Sequence, residues 1–366
     1  MGIGVAVLAA LALVAGCGSS GGSADGSSTE TPAGTTTAGD TTTAGDTTAS
    51  GSGDASTSDS APKELEPFTV LLDWFPNPDH ISLYTAQHEG YYKDEGLDVK
   101  LQSPSNSTDA LKLISLGQVD LAISYEPQII NADALGLDVA GVGALIPNSL
   151  TSIILSGKQG VKTLKDLEGK KLGSTGDPVT DKIFNAVLTN NGVDPSKVDV
   201  ISLDQGLIPA IVSGQVAGIS GAYPNIEGIQ LRDEGIEPVI FTAGKSGVAQ
   251  SDELVLIARK SKLASDEGYR DKVKRFLAAL AKGDAAAQAN PELALTSITP
   301  VAKGYDAAQL SEMVDSTVTY LKNPDGSFGQ MNIDKWQSFA DWMLQEKLLD
   351  KKVDVKHVLD LSLLPG

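Results

Sequence analysis

Short apolar strands alternate with helical segments in two successive series along the chain. The first series predicts strands at 68–73, 97–102 and 119–124 and helices at 79–89 and 108–116, the latter with Ser107 as its N-cap. The second series starts after residue 170 and closes with a strand at 237–241, and ELVLIAR at 253–259 is predicted as one more strand. From residue 261 onward the chain is mostly helical, with helices predicted at 267–289, 306–321 and 334–346. Repeated strand–helix–strand units predict parallel strands in α/β sheets that are covered by helices.

The first 64 residues have a different composition from the rest of the chain. Residues 3–15 form an apolar run as long as a signal-peptide core, and the run ends in VAGC, which is similar to the lipobox of bacterial lipoproteins. We therefore predict a signal peptide at 1–16 and a lipidated Cys17. The alternative is a plain signal peptide with an incidental cysteine. Because MGIG lacks the basic residues with which signal peptides usually begin, a start codon further upstream is another alternative.

Residues 18–64 contain no Val, Ile, Leu, Met or aromatic residue and are dominated by Ser, Thr, Gly, Ala and Asp. Such a segment cannot bury enough apolar surface to offset the entropy cost of ordering, so 17–64 is predicted to be a disordered tether. The net charge of −19 argues against nucleic acid and anionic lipid surfaces as partners. Since Cys17 is the only cysteine, no disulfide framework or thiolate metal site is predicted.

Two similar segments suggest where a ligand binds. GQVDLAISY at 117–125 is similar to GQVAGISGAY at 214–223. Each segment has a helix stop, a buried strand and a tyrosine at the strand's carboxyl end. Ligands of open α/β sheets bind outside these carboxyl ends, so the repeat predicts a cleft between two lobes. The alternative is that SGQV is a sequence that commonly connects a helix to a strand, so that the similarity has no functional meaning.

Several segments, in order, match one family. LDWFPNPDHISLYTAQHEGYYKDEGLDVKL, ALKLISLGQVDLAISYEP, PAIVSGQVAGISGAYPNIEGIQL and FADWMLQEKLL resemble landmarks of the ABC transporter substrate-binding proteins for thiamine pyrimidine precursors. The resemblance covers about 68–349 and implies an α/β, two-lobed type II periplasmic-binding-protein fold with two crossovers and a C-terminal helical segment. It implies a first lobe at 65–152 plus 253–366, a second lobe at 153–252, and crossovers near 151–157 and 251–258.

The resemblance also implies a function. We expect a monomeric, lipid-anchored extracytoplasmic protein that captures a thiamine pyrimidine precursor, formylaminopyrimidine or hydroxymethylpyrimidine, and delivers it to an ABC permease. No cofactor, metal or nucleic acid is expected. Riboflavin or a related heterocycle is an alternative ligand. An enzyme of pyrimidine synthesis is the alternative class, but the enzymes of that type carry a cysteine-rich iron-binding motif that this chain lacks.

Candidate ligand contacts from the first lobe lie in the loop after the first strand and after the third. Trp74 can stack on an aromatic ring, with rim packing as the alternative, and Asn77 offers donors and acceptors, with an Asx turn as the alternative. His80 is interpreted either as a ligand contact or as packing at a helix start, and not as a catalytic residue. Tyr125 and Glu126 complete this set.

Candidates from the second lobe are Tyr223, Asn225 and Glu227 and the turn Ser174, Thr175 and Gly176. Glu227 is expected to accept hydrogen bonds from an aminopyrimidine or a ligand cation, unless it faces solvent on its helix. The turn precedes a helix and offers backbone N–H groups to a ligand, although simple N-capping is equally consistent. Ser174 stands where the family is expected to have an aromatic residue, which leaves the identity of the ligand open.

Overall fold

The computed structural model describes residues 64–105, 109–158, 160–203, 206–323 and 326–366. Cys17, the predicted tether and the predicted cap Ser107 lie outside these ranges. Within them, none of the helices is long and apolar enough to cross a bilayer.

The first sheet has five strands in the order β2-β1-β3-β10-β4. Its strands are β1 Glu66–Leu71, β2 Leu97–Gln102, β3 Leu121–Ser124, β4 Ala140–Ile146 and β10 Leu254–Ala258. β1 is parallel to β2 and β3, whereas β10 is antiparallel to both β3 and β4. The second sheet has the order β7-β6-β8-β5-β9. Its strands are β5 Ser152–Leu155, β6 Lys171–Ser174, β7 Asp199–Ser202, β8 Gly218–Ala222 and β9 Val239–Thr242.

The two sheets repeat one arrangement, and it corrects the prediction of uniformly parallel strands. In the second sheet β6 is parallel to β7 and β8, and β5 is antiparallel to β8 and β9. The antiparallel strands β5 and β10 are the ones that the chain enters directly from the other sheet. A strand reached without a crossover helix in its own sheet has no reason to run parallel to its neighbours. The fold is therefore α/β with mixed sheets.

Twelve α-helices cover the sheets of the described part. They are α1 Ile81–His88, α2 Tyr91–Asp94, α3 Ala110–Ser115, α4 Glu126–Ala134, α5 Pro178–Asn190, α6 Leu207–Val212, α7 Glu227–Asp233, α8 Lys260–Ser265, α9 Glu267–Ala289, α10 Pro291–Ile298, α11 Ala307–Leu321 and α12 Ile333–Gln345. α9 has the predicted ends, and Asp266 caps it by accepting a hydrogen bond from the Tyr269 N–H.

The C-terminal helices pack on the first sheet because alternate residues of its strands face opposite ways. Phe68 of β1 lies in one core cluster with α1, α9, α10 and α11, and the Phe276 ring of α9 stacks on it at 5.2 Å between centroids. Leu71 faces the other side, in a cluster with α3, α4 and α12. Gly283 permits the close contact of α9 with α1, since a Cβ there would lie 2.6 Å from the Ser82 carbonyl oxygen.

Two chain segments connect the sheets, one between β4 and β5 and one between β9 and β10. The predicted crossover ranges 151–157 and 251–258 lie mostly on β5 and β10 themselves, so the connections come earlier in the chain. The two segments are joined to each other. The Ser149 hydroxyl donates to the Ser251 carbonyl at 2.8 Å, and the Glu253 carboxylate accepts the Leu150 and Thr151 N–H groups at 2.6 and 2.8 Å.

Candidate functional site

A cavity of about 920 Å³ lies where the carboxyl ends of strands from both sheets meet. Trp74 follows β1, Tyr125 follows β3, Thr175 follows β6 and Tyr223 follows β8, and all four line the cavity. This is the position at which open α/β sheets bind ligands. The cavity joins residues that are about 150 positions apart in the sequence because two strand series end at one cleft.

The loop after β1 is held by a local capping motif. The Asn77 side chain accepts a hydrogen bond from the Asp79 N–H at 2.8 Å, at the start of a 3-10 turn, Pro78–His80. The Asn77 N–H donates to His80 Nδ1 at 3.2 Å. Since Nδ1 accepts an N–H, the ring proton is on Nε2, which donates to Asp73 Oδ1 at 2.8 Å. His80 is therefore held by this loop and does not line the cavity.

Asp73 connects this loop to the end of β3. Its second oxygen accepts the Tyr125 hydroxyl at 2.8 Å. Burial would raise the pKa of Asp73, but the hydrogen bonds from His80 and Tyr125 outweigh it and hold that pKa below its ordinary value. Burial and the neighbouring Asp73 charge raise the pKa of Tyr125 well above its ordinary value. Tyr125 is thus fixed as a donor to an ionised Asp73, with its ring on the cavity wall.

The eleven predicted ligand contacts fall into two groups. Those that line the cavity are Trp74, Asn77, Tyr125, Thr175, Tyr223 and Glu227; those that do not line it are the buried residues His80, Glu126, Ser174 and Asn225 and the exposed Gly176. The turn before α5 explains part of the second group. The Gly176 N–H donates to Ser174 Oγ at 2.9 Å and the Ser174 hydroxyl donates to Asp181, so this turn is hydrogen-bonded internally.

Glu126 and Asn225 make structural contacts instead. Glu126 is buried and accepts the Asp252 N–H of the second connection at 2.8 Å. Asn225 is fully buried, and its amide donates to Asp79 at 2.6 Å and to the Thr317 hydroxyl of α11 at 2.7 Å. Asn225 therefore links the second sheet's side of the cavity to the first.

Glu227 accepts a hydrogen bond from the Tyr223 N–H through Oε2 at 2.7 Å. Apart from Tyr223 and the backbone of Glu227 itself, no described residue donates a hydrogen bond to this carboxylate, and Glu227 contributes to the cavity lining. Burial raises the pKa of Glu227 to about 6. The predicted alternative, a solvent-facing Glu227, does not hold because the side chain is half-buried at the cavity.

Sequence reasoning missed several residues of the lining. Gln128 donates from Nε2 to Asp177 at 3.0 Å and to Thr180 at 3.2 Å, which connects α4 to the N-terminus of α5 across the cavity. Glu253 and Tyr305 also line it. The only signal in the sequence was the pair Asp252 and Glu253 directly before a strand, because the other contacts join positions tens of residues apart.

The residues of the cavity lining are predominantly acidic among those that can carry a charge. Seven carboxyl groups and one basic residue, Lys303, contribute to it; the acids are Asp73, Asp79, Asp177, Glu227, Glu234, Asp252 and Glu253. In the described ranges, no three or more His, Cys, Asp or Glu side chains are grouped so as to hold a metal ion. Chemically, the lining can stack on flat rings and accept hydrogen bonds.

The comparison with protein families decides the classification of the chain. The model described as NMT1/THI5 like matches residues 77–294. The chain belongs to the NMT1/THI5-like family. Two relatives match over most of their own length. A protein of Haemophilus influenzae that is named for thiamine biosynthesis is 31% identical over 80% of this chain and 91% of its own length. A formylaminopyrimidine-binding protein of Halalkalibacterium halodurans is 31% identical over 80% and 89%.

Other matches show what the family and the fold include. The 4-amino-5-hydroxymethyl-2-methylpyrimidine phosphate synthase of Schizosaccharomyces pombe is 31% identical over 41% of this chain and 43% of its own. The alkanesulfonate-binding protein SsuA of Xanthomonas axonopodis pv. citri superposes with a TM-score of 0.63 at 17% identity, over 81% of this chain and 99% of that chain. At this identity the structural match shows the fold, which is that of periplasmic binding proteins.

Proposed function

We propose that this protein binds a thiamine pyrimidine precursor, formylaminopyrimidine or hydroxymethylpyrimidine, and presents it to an ABC importer. One observation carries the proposal: aromatic rings and the Glu227 carboxylate share one cavity at the carboxyl ends of both sheets. A flat ring can stack on Trp74, and Glu227 can accept an N–H from the amino group of an aminopyrimidine. The match to a formylaminopyrimidine-binding protein over most of both chains supports this choice.

Calorimetric titration of the full-length protein tests the ligand. We expect saturable binding of formylaminopyrimidine or hydroxymethylpyrimidine and a matching rise in melting temperature, because a ligand that binds only the folded state stabilises it. Riboflavin is the comparison ligand. Binding of riboflavin with no response to either pyrimidine would replace the proposed ligand with a flavin and leave the binding role in place.

The enzyme alternative rests on the family members that are named as synthases. We propose that this chain is a binding protein, since a relative named for binding is 31% identical over most of both chains, whereas a synthase of Legionella pneumophila that also matches over most of both chains is 22% identical. Incubation with pyridoxal phosphate and ferrous iron, followed by mass spectrometry, should give no pyrimidine. A pyrimidine product formed in amounts that scale with the protein would contradict the proposal.

We further propose that the protein acts outside the cytoplasm, as a monomer held at the membrane by a lipid on Cys17. The VAGC motif and the Ser/Thr/Gly-rich segment after it support an anchor followed by a tether. Expression in a bacterial host with an alkyne-tagged fatty acid tests this. The wild-type chain should be labelled and found in the membrane fraction, and Cys17→Ser should be unlabelled and released. Equal labelling of both would contradict lipidation of Cys17.

We expect ligand binding to be coupled to closure of the two lobes. Gln128 contacts Asp177 and Thr180, and Asn225 contacts Asp79, so contacts cross the cavity at two places. A ligand that touches both walls adds to these contacts and favours the closed state by its differential affinity. The closed state is then the form that a permease can distinguish from the empty protein.

A further inference from the structure

Some buried side-chain oxygens at the cavity have no hydrogen-bond partner in the described part of the chain. Asp79 Oδ2 and Gln128 Oε1 belong to lining residues, whereas Glu126 Oε1 and Asn225 Oδ1 belong to residues that do not line the cavity. Burial raises the pKa of Asp79 and Glu126 well above the ordinary value, so these two carboxyl groups can donate as neutral acids as well as accept. The Gln128 oxygen can only accept, and because an unsatisfied buried acceptor is unfavourable, it favours a ligand with N–H or O–H groups.

The acidic groups of the wall are hydrogen-bonded mainly to uncharged donors. Asp73 accepts from His80 and from the Tyr125 hydroxyl, Glu253 accepts from backbone N–H groups, and Asp252 accepts the Trp336 indole N–H. Burial raises the pKa of Asp79 well above its ordinary value, and the charge of Lys335 acts on Asp252. The remaining carboxyl groups of the lining still outnumber its one lysine, so the cavity keeps an excess of negative charge.

Among the residues that the structure describes, none with a basic side chain forms an ion pair with Glu227. The groups that face it are Asp79 from the 3-10 turn and Tyr305 from the segment before α11, together with Tyr223 of its own turn. The nearby Arg232 is exposed and pairs with Glu312 of α11. The one lysine of the lining, Lys303, pairs with no carboxylate among the described residues, and its ammonium donates to the Pro300 carbonyl.

We propose that the cavity holds its heterocycle as a cation, with Glu227 as the counter-ion of a protonated ring nitrogen and its neighbouring amino group. The inference rests on the proposed function, since it concerns the charge state of the same ligand. An aminopyrimidine protonated on the ring presents adjacent N–H donors in one plane, which match the two oxygens of a carboxylate. The proton enters with the ligand from solvent, and no bond other than to this proton forms or breaks.

The same charge distribution opposes anionic ligands. A phosphate ester of hydroxymethylpyrimidine would bring up to two negative charges into a lining with seven carboxyl groups and one lysine. We therefore expect the phosphate ester to bind at least about 100-fold more weakly than the alcohol, since like-charge contacts cost several kcal/mol. Discrimination of this kind restricts the protein to precursors that have not yet been phosphorylated.

The charge state is measured directly by ¹⁵N NMR of ring-labelled hydroxymethylpyrimidine bound to the full-length protein at pH 7.5. We expect the bound ring nitrogen to show the chemical shift of the protonated form, whereas the free ligand at this pH shows that of the neutral form. A neutral-type shift in a saturated complex would overturn the inference and leave the proposed function standing. No binding of any pyrimidine would instead overturn the proposed function.

Substitution of Glu227 provides a second test of the inference. Glu227→Gln keeps the size and an acceptor for the Tyr223 N–H but removes the charge, so affinity should fall about 10- to 100-fold and the bound ring should become neutral. Glu237→Gln, at an exposed position just beyond α7, is the matched control and should change neither. Unchanged affinity in folded Glu227→Gln, or equal affinity for the phosphate ester and the alcohol, would overturn the inference.

Discussion

Asp73 decides how the loop after β1 is arranged, although it was not among the predicted contacts. It accepts hydrogen bonds from His80, seven residues away, and from Tyr125, 52 residues away. The strand-end rule was enough to predict that Trp74, Tyr125 and Tyr223 lie at a cleft. It could not predict that the 3-10 turn after Asn77 directs His80 toward Asp73, because that depends on the local backbone path.

Replacing His80 tests its structural role. In His80→Ala the buried Asp73 loses a donor and the Asn77 N–H loses its acceptor, so the free energy of unfolding should fall by about 2–4 kcal/mol. Urea unfolding measures it. His88→Ala is the matched control on the exposed end of α1, where a change within about 0.5 kcal/mol is expected. Equal effects of the two substitutions would contradict the role of His80.

Replacing Trp74 tests stacking. Trp74 is only partly buried and packs mainly at the cavity, so Trp74→Ala should weaken binding of the pyrimidine roughly tenfold, from lost stacking and apolar contact, with little change in stability. Trp74→Phe keeps a flat ring and should retain most of the affinity. Titration calorimetry of the three proteins gives the comparison, and an unchanged dissociation constant in Trp74→Ala would rule out stacking at this position.

At the scale of elements, the sequence predicted helix ends well and strand directions poorly. α9 was predicted at its observed limits because it has a capping Asp266 and a long amphipathic repeat. β4, with the sequence AGVGALI, was not predicted, since two glycines weaken a strand pattern. The directions of β5 and β10 depend on which sheet the chain enters, and local sequence carries no information about that.

The contact between α11 and Asn225, on the second sheet's side of the cavity, is testable by substitution on one helix. Thr317→Val keeps the shape of the side chain but removes the hydroxyl that accepts from Asn225 at 2.7 Å. The loss should lower the free energy of unfolding by about 1–3 kcal/mol, since both groups are buried. Thr319→Val on the exposed face of α11 is the control. If circular-dichroism melts show equal changes, Asn225 does not depend on Thr317.

At the scale of the whole molecule, buried acids set the pH dependence of stability. Burial raises the pKa of Glu227, Asp252 and Asp284 to about 6 each. Between about pH 4 and pH 6 the folded state therefore binds more protons than the unfolded state, and stability falls as pH rises through this window. The lowered pKa of Asp73 acts in the opposite direction, but only at lower pH.

Urea unfolding at pH 5.0 and pH 8.0 measures the result. We expect the protein to be about 2–4 kcal/mol more stable at pH 5.0, since each pKa unit of difference contributes about 1.4 kcal/mol. Asp284→Asn removes one of the three groups at a position outside the cavity lining and should reduce the difference. Greater stability at pH 8.0 would contradict the burial of these acids in the folded state.

The joined connections between the sheets have a mechanical consequence. Because Ser149 and Glu253 bind the two chain segments to each other, we expect the two sheets to rotate about the line through these hydrogen bonds rather than to slide past one another. On this expectation one angle between the sheets describes the change from the empty to the occupied protein. A pair of fluorescent labels, one beside each sheet, would follow that angle and report the concentration of free ligand as a single-parameter sensor.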